Sequence, residues 1–425
     1  MTKLARDARM GGRSDEGWHR SHLGRAIRFV LLSFFIASQA LAGGLVISWD
    51  ANTEPDLAGY RIYYGTAHST YDQMIDAGNR TSYVIENLQE GVTYFLVVTA
   101  YDLNGNESLP CAELSATVTS AQIYVERAPE GIRINWSALE GATSYSIYAG
   151  ATPDFTPTTP IAQLTTPGYT DGINLATLPL ARYYVVQALV GGTVMHTFDR
   201  VGAFNIGLRP GRNLVSVPLL PTDARVTTVL GTQLSGATNA MQADKILYWN
   251  GRDYDIAWLV EGSSSIMEGK WVTEAGNQIS TIDLDPDRSF WLLLSPDARD
   301  TLLTVTGKIS TDPNRVLTLT QGPNFVGTCY PVSVSLINSE LAADNVVVGA
   351  RSSATADKMM QWLRNRYDVA WLVGNSGTAW DGTWFNESGS SPTSMTLNPG
   401  VGYILWIKND NPSKVWTYPN PLPNL

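Results

Sequence analysis

The chain has 425 residues, of which 44% are hydrophobic and 16% are charged, so it is expected to fold into several domains. Its formal net charge of -10 leaves no basic stripe for a phosphate backbone, which excludes nucleic acid as a partner. The two cysteines, Cys111 and Cys329, are too few for a disulfide framework. We expect them to be unpaired residues of different domains, with an interdomain bridge as the alternative.

Residues 1–42 predict a signal peptide. Four arginines between positions 13 and 28 precede an apolar run at 29–37, which is shorter than the roughly 20 residues that span a bilayer. Small residues follow at Ala40 and Ala42, and we predict cleavage after Ala42. An uncleaved signal anchor is the alternative. The mature protein is therefore expected to be secreted, periplasmic or at the cell surface, and to meet the membrane only transiently.

Residues 43–119 alternate short Val, Ile, Tyr and Thr runs with turn-forming residues, which is typical of a β-sandwich. The residues that carry the pattern are Trp49, the segment 56–65, Leu88, Gly91, Tyr94 and the segment 101–108. Together they resemble a fibronectin type III domain, in which aromatic residues at alternate positions fill the space between two sheets. The resemblance implies a seven-stranded immunoglobulin-like sandwich.

Residues 121–206 repeat this plan more loosely. Trp136 follows alternating isoleucines, and tyrosines at 145–148 and 183–184 mirror the aromatic strands of the first module. This segment is also similar to a fibronectin type III domain, although the Leu-x-x-Gly entry is missing and a Thr/Pro-rich stretch occupies residues 152–167. We predict a second, divergent sandwich.

The C-terminal half contains an internal repeat. Ala243-Asp244-Lys245 recurs 113 residues later as Ala356-Asp357-Lys358, and Ala257-Trp258-Leu259-Val260 recurs at the same spacing as Ala370-Trp371-Leu372-Val373. Self-similarity at a fixed period indicates duplicated structural units. We therefore predict two β-rich modules with minor helix, repeat 1 at residues 207–309 and repeat 2 at residues 310–425.

Two local features are predicted inside repeat 1. Thr222 and Asp223 could cap a short helix through residues 226–230 that stops at Gly231. The Trp-Asn-Gly-Arg-Asp-Tyr stretch at 249–254 reads as a hairpin with a type I′ turn, since Asn-Gly favours positive φ values. Repeat 2 has Leu-Arg-Asn-Arg at 363–366 instead, so we expect its turn to differ.

Each repeat resembles uncharacterised modules at the C-termini of bacterial secreted proteins. The shared features are an Asn-Leu-Val-Ser-x-Pro opening, a Trp-Asn-Gly-x-x-Tyr hairpin and a Pro-Gly-x-x-Tyr/Phe-Trp close. The resemblance implies a β-rich fold and no known activity.

Signs of catalysis are missing from the sequence. Outside the signal region the histidines are His68 and His196, too few for a zinc site or a Ser-His-Asp triad in a recognisable context. Asp255 and Asp368 recur beside tyrosines and are the best-placed carboxylates, with a strand-end hydrogen bond as the favoured interpretation. We expect no enzymatic activity, no cofactor and no metal.

The repeated aromatic residues are the candidate ligand-binding groups, with burial in a core as the alternative. They are Trp249, Tyr254, Trp258, Trp271, Trp362, Tyr367, Trp371 and Trp384. The sequence thus predicts an exported scaffold or adhesion-type protein that contacts an extracellular protein or polysaccharide surface. The second hypothesis is a carbohydrate-binding accessory protein, and the third is a secreted hydrolase.

Overall fold

The computed structural model shows a protein built almost entirely of β-strands. Its described residues hold thirty strands, one α-helix and one 3₁₀ helix, which confirms the predicted mostly-β class with minor helix. None of these helices is long and apolar enough to cross a membrane. The described residues are 37–41, 44–49, 52, 54–85, 88–89, 91–118, 121–177, 180–343, 346–408 and 414–423. The predicted signal peptide lies outside them, apart from residues 37–41.

The described residues fall into two compact units. The first contains Ile47–Tyr83 and Tyr94–Ser115, and the second contains Ala116–Leu425 together with Gln39–Val46 and Val84–Thr93. Everything from the second sandwich to the end of repeat 2 therefore belongs to one unit.

The first module forms two sheets, with strand orders β1-β2-β5 and β4-β3-β6-β7. Its strands are β1 (Ala37–Leu41), β2 (Gly44–Ser48), β3 (Leu57–Gly65), β4 (Gln73–Gly78), β5 (Ser82–Ile85), β6 (Thr93–Asp102) and β7 (Leu114–Thr117). β3 pairs antiparallel with both β4 and β6. The rings of Trp49 and Tyr60 meet edge to face with centroids 5.3 Å apart, as expected for a fibronectin-like core.

The second module repeats this arrangement. Its strands are β8 (Ile123–Ala128), β9 (Gly131–Trp136), β10 (Ser144–Gly150), β11 (Ala162–Leu164), β12 (Tyr169–Asp171), β13 (Ala181–Val190), β14 (Thr193–Thr197) and β15 (Val201–Leu208). One sheet has the order β12-β9-β8, and the other begins β11-β10-β13-β15. Trp136 and Tyr145 lie 5.5 Å apart between ring centroids, matching the aromatic pair of the first module.

The two repeats share a five-stranded sheet. Repeat 1 contains β16 (Gly211–Ser216), α1 (Val226–Val229), β17 (Lys245–Trp249), β18 (Tyr254–Leu259), β19 (Trp271–Thr273), β20 (Ser289–Leu294) and β21 (Thr301–Lys308). Repeat 2 contains β22 (Asn314–Leu319), β23 (Gly322–Val326), β24 (Val334–Ser335), the 3₁₀ helix Leu336–Asn338, β25 (Lys358–Leu363), β26 (Arg366–Leu372), β27 (Trp384–Asn386), β28 (Thr396–Leu397), β29 (Tyr403–Ile407) and β30 (Lys414–Pro419). The sheet β16-β20-β17-β18-β19 corresponds strand for strand to β23-β29-β25-β26-β27.

Strand β15 belongs to the second sandwich and to repeat 1 at once. One edge of its Val201–Phe204 segment pairs with β13, and the other edge of the whole strand pairs with β21. The predicted limit between residues 206 and 207 falls inside this strand. In repeat 2 the corresponding strand, β22, pairs with β30 in a two-stranded sheet. The two modules on either side of β15 are therefore joined by continuous backbone hydrogen bonds instead of a linker.

The local predictions for repeat 1 are largely confirmed. Helix α1 is one turn long, and Gly231 follows it with a φ of +55°. The predicted cap is wrong, because the N-cap residue is Arg225 and no side chain makes a capping hydrogen bond. The hairpin at 249–254 is present, with Trp249 opposite Tyr254. The type I′ prediction is wrong, because Asn250 has no positive φ and its Oδ1 instead accepts hydrogen bonds from the amides of Arg252 and Asp253.

Candidate functional site

Two of the predicted aromatic residues lie in the cores of the repeats. Trp271 begins β19, and its Nε1 donates to the carbonyl oxygen of Gly231 at 2.7 Å. Trp384 begins β27 and is 1% exposed. Each ring is enclosed by the hydrophobic core of its own repeat. A binding role for them stays a prediction, and it would require a conformation other than this one.

Trp258 and Trp371 lie on the outer face of each repeat, which we define as the side of the five-stranded sheet away from that repeat's core. They are 5% and 6% exposed and pack against Ala243 and Ala356 of the repeated Ala-Asp-Lys motif. The Nε1 of Trp371 also donates to the carbonyl oxygen of Asn386 at 2.8 Å. Both indoles are thus mostly covered by neighbouring protein groups, and their binding role also stays a prediction.

The aspartates of the same motif are structural. Asp244 accepts hydrogen bonds from the backbone amides of Ser235 and Ser295, each at 2.8 Å. Asp357 accepts two backbone hydrogen bonds in the same way in repeat 2, at 2.8 and 2.7 Å. Buried carboxylates need such partners, which explains why the motif recurs.

The other four predicted residues lie between the two repeats. They belong to the inter-repeat cluster, which consists of Leu214, Leu247, Trp249, Tyr254, Trp291 and Leu293 from repeat 1 and Phe325, Met360, Trp362, Tyr367 and Ile404 from repeat 2. The ring centroids of Trp249 and Phe325 are 6.1 Å apart, and those of Trp291 and Trp362 are 5.6 Å apart. The Nε1 of Trp362 donates to the carbonyl oxygen of Arg212 at 3.1 Å. These rings hold the outer faces of the two sheets together.

A serine pair in repeat 1 meets a glycine pair in repeat 2 beside this cluster. Ser216 and Ser289 lie opposite each other on β16 and β20, and their hydroxyls donate to the carbonyl oxygens of Val401 and Tyr403 at 2.9 and 3.0 Å. A Cβ added at Gly327 would lie 2.4 Å from the Cβ of Ser216. One added at Gly402 would lie 2.6 Å from the Cβ of Ser289. The contact therefore requires serine on one side and glycine on the other.

A buried charged group forms a further link between the repeats. Asp287 of repeat 1 accepts hydrogen bonds from Nε and Nη2 of Arg315 at 3.0 and 2.7 Å, and also from the hydroxyl of Tyr418. Burial opposes the charge of Arg315, but the hydrogen bonds and charge of Asp287 raise its pKa overall. Burial, aided by the neighbouring Cys329 and Asp287, raises the pKa of Tyr418. The guanidinium thus stays charged and the phenol neutral.

His68 and Asp255, two of the titratable residues singled out in the sequence, have local partners. The Nδ1 of His68 lies 3.2 Å from Oε1 of Glu113, and Asp255 accepts a hydrogen bond from the Nδ2 of Asn250 at 3.1 Å. Cys111 and Cys329 are free thiols, both buried. In the described part of the chain, no group of three or more His, Cys, Asp or Glu residues is placed to hold a metal ion.

Sequence reasoning missed the residues that join the repeats. Asp287 corresponds to Gly400, and Ser289 corresponds to Gly402, at the offset of 113 residues. These departures from the repeat were visible in the sequence and mark the positions where the two copies meet. A comparison of the matching residues alone identifies the core that both repeats share and does not identify the contacts between them.

Comparison with known proteins identifies the first module. Residues 34–114 match the family model of the fibronectin type III domain. The matched segment begins before the predicted cleavage site at Ala42. Fibronectin type III domains generally have protein-binding or scaffold roles and are typically non-catalytic.

Among solved structures, the chain is similar to a segment of chicken tenascin that contains two fibronectin type III domains. The identity is 13%, the match covers 39% of this chain and 94% of that chain, and the TM-score is 0.17. A TM-score of this size supports no inference about this chain.

Proposed function

We propose that the protein is an exported, non-enzymatic scaffold or adhesion-type protein that acts through contacts with protein or other extracellular surfaces. The observation that carries this proposal is the continuous construction of residues 116–425. The second sandwich passes into repeat 1 through β15, and repeat 1 is fixed to repeat 2 by the inter-repeat cluster and the Ser-Gly contact. Such a body can hold a binding surface at a set distance and orientation.

The fibronectin type III match supports a contact role, because modules of this family generally serve in protein binding or as scaffolds. Export is supported by the arginine-rich segment, the short apolar run and the small residues before position 43. The partners would then be proteins or polysaccharides outside the cytoplasm.

The absence of catalysis is supported by the structural roles of the three buried aspartates described above. Asp244, Asp287 and Asp357 are all committed to backbone or side-chain hydrogen bonds inside the fold. A secreted hydrolase would instead need two carboxylates facing each other across an open cleft.

The test is binding of the purified chain to intact cells of the producing organism that lack the gene. The scaffold role predicts saturable binding that is lost when the cells are first treated with protease. Loss of binding after periodate treatment, with protease having no effect, would instead favour the carbohydrate-binding hypothesis. An absence of binding to untreated cells would contradict both.

Export needs its own measurement. The chain expressed with its natural N-terminus should be recovered outside the cytoplasm with Gly43 as the first residue. Recovery in the cytoplasm with residues 1–42 intact would contradict the proposed localisation.

A further inference from the structure

The outer face of repeat 2 carries a row of large side chains on four neighbouring strands. Trp406, Lys358, Trp371 and Phe385 lie directly opposite one another on β29, β25, β26 and β27. Residues opposite each other in antiparallel strands project from the same face. The ring of Trp380 extends the row, with its centroid 5.4 Å from that of Phe385. We call these five residues the aromatic row.

Repeat 1 has the same row without most of its aromatic groups. At the offset of 113 residues, Leu293 replaces Trp406, Val272 replaces Phe385 and Met267 replaces Trp380. The lysine and the central tryptophan are kept as Lys245 and Trp258. Leu, Val and Met therefore satisfy this fold, and the three aromatic residues of repeat 2 are not needed to form the sheet.

The two ends of the aromatic row are open to solvent. Trp380 is 52% exposed and Trp406 is 40% exposed, whereas Trp371 and Phe385 are below 8%. The Nζ of Lys358, between the two ends, makes no hydrogen bond or ion pair with a described residue. The exposed apolar surface of the row is therefore the two indoles at its ends, with the covered rings of Trp371 and Phe385 between them.

Trp380 is held in place by a hydrogen-bonded loop. Its amide donates to Oγ1 of Thr378 at 3.3 Å, and its carbonyl oxygen accepts from the amide of Thr383 at 2.9 Å. Asp381 accepts from the amide of Ser376 at 2.9 Å, which closes the same loop. An exposed indole on a fixed loop loses little conformational entropy when it binds a ligand.

We propose that the aromatic row of repeat 2 binds a neutral polysaccharide of β-linked pyranoses. Such a chain is extended and flat, and the apolar C–H face of each sugar ring can stack on an exposed indole. Four strands at about 4.8 Å spacing place Trp406 about 14 Å from Phe385, so a chain of a few sugar rings reaches from one exposed indole to the other. The ammonium group of Lys358 donates hydrogen bonds to the ring hydroxyls.

This proposal goes beyond the scaffold role and does not depend on it. It uses a part of the outer face that the inter-repeat cluster leaves uncovered, and of the eight residues predicted from the sequence it includes Trp371 alone. The acidic net charge of the chain disfavours anionic partners, which is why a neutral glycan is the stated ligand.

The test is affinity gel electrophoresis of the full chain in gels that contain hydroxyethylcellulose, with alginate as the acidic comparison. Hydroxyethylcellulose should retard the wild-type chain. Trp380→Met and Trp406→Leu install the residues of repeat 1, so both variants should fold, and each should weaken the retardation about tenfold or more. Tyr124→Leu removes an aromatic residue that is 41% exposed elsewhere and should bind like the wild type.

Three results would overturn the proposal. The first is that hydroxyethylcellulose does not retard the wild-type chain, and the second is that it retards all variants equally. The third is that only alginate retards the chain, and that Lys358→Ala removes this retardation whereas Trp380→Met does not. Thermal unfolding of each variant within a few degrees of the wild type shows that lost binding reflects the site and not the fold.

Discussion

Repeat 1 and repeat 2 share a strand order, yet they differ wherever they meet another part of the chain. In the Ser-Gly contact, repeat 1 supplies the serines and repeat 2 the glycines. Repeat 1 also supplies Asp287 to the buried charged group, and repeat 2 has Gly400 at the corresponding position. Strand β15, at the start of repeat 1, is paired on both edges, whereas its counterpart β22 in repeat 2 is paired on one. The difference shows that the two copies are complementary halves and are not interchangeable.

The largest expected effect comes from removing the charge that only repeat 1 supplies. Asp287→Ala leaves Arg315 and the hydroxyl of Tyr418 without their buried acceptor. Breaking a buried pair by removing one partner should lower the free energy of unfolding by about 3 kcal/mol. The measurement is the denaturant midpoint of the unfolding transition that involves the repeats.

Asp199→Ala is the matched control for that variant. Asp199 pairs with Lys308 at 3.0 Å but is 54% exposed, so its removal should cost about 0.5 kcal/mol or less. Equal shifts for the two variants would mean that the buried charged group does not link the repeats.

The Ser-Gly contact gives the next largest effect. Gly327→Ser forces a side chain against Ser216, and overpacking of this kind should cost about 2 kcal/mol. Gly207→Ser is the control, because a Cβ at Gly207 meets no atom within 4 Å. The added variant Ser216→Gly should restore most of the stability lost in Gly327→Ser. A failure of that rescue would show that the two positions are not in contact.

The pH dependence of stability tests the burial of Cys329. Burial, with a contribution from the charge of Asp287, raises the pKa of this thiol from 9.0 to about 12. A raised pKa means that the stabilisation is complete below pH 9 and is lost as the pH rises through 12. By pH 10 the free energy of unfolding of the wild type should have fallen by about 1 kcal/mol more than that of Cys329→Ala.

Thiol labelling tests whether both cysteines are buried and unpaired. A thiol reagent should label neither cysteine of the folded protein at pH 8 and should label both after unfolding without reductant. Labelling of neither thiol after unfolding would reveal a disulfide and contradict this structure.

The smallest effect concerns the one α-helix of repeat 1. Asp223 accepts hydrogen bonds from the amide of Arg225, the N-cap residue, at 3.1 Å and from Oγ1 of Thr228 at 2.9 Å. Asp223→Ala should lower the free energy of unfolding by about 0.5 to 1 kcal/mol, the usual net contribution of a hydrogen bond. The hydrogen bonds to Arg225 lower the pKa of Asp223, so its contribution is present above about pH 4 and is lost in acid. An unchanged acid unfolding profile in Asp223→Asn would contradict this role.

Much of the fold could be predicted from the sequence because its signals are local or periodic. Trp49 and Trp136 reveal the two sandwiches, the 113-residue spacing reveals the repeats, and the Trp249–Tyr254 hairpin follows from its turn residues. The turn type was wrong because Asn250 uses its side chain to close a longer loop, a choice that the Asn-Gly pair does not determine.

The sequence shows where the two repeats differ, but it does not show which of these positions contact each other. Repetition of Trp249 and Trp362 is equally compatible with a core, a ligand platform or a joint, since each selects large aromatic side chains. The close approach of Ser216 to Gly327, which only the three-dimensional structure shows, identifies these residues as part of an interface between the repeats. The aromatic row was missed because it is defined by differences between the copies.

The most direct test of the account is hydrogen exchange of β13, β15 and β21 under increasing denaturant, read at the level of single peptides. If β15 joins the second sandwich to repeat 1, the protected amides of all three strands should open in one step with the same free energy. The account is contradicted if β13 and β21 open in separate transitions, with β15 following only one of them.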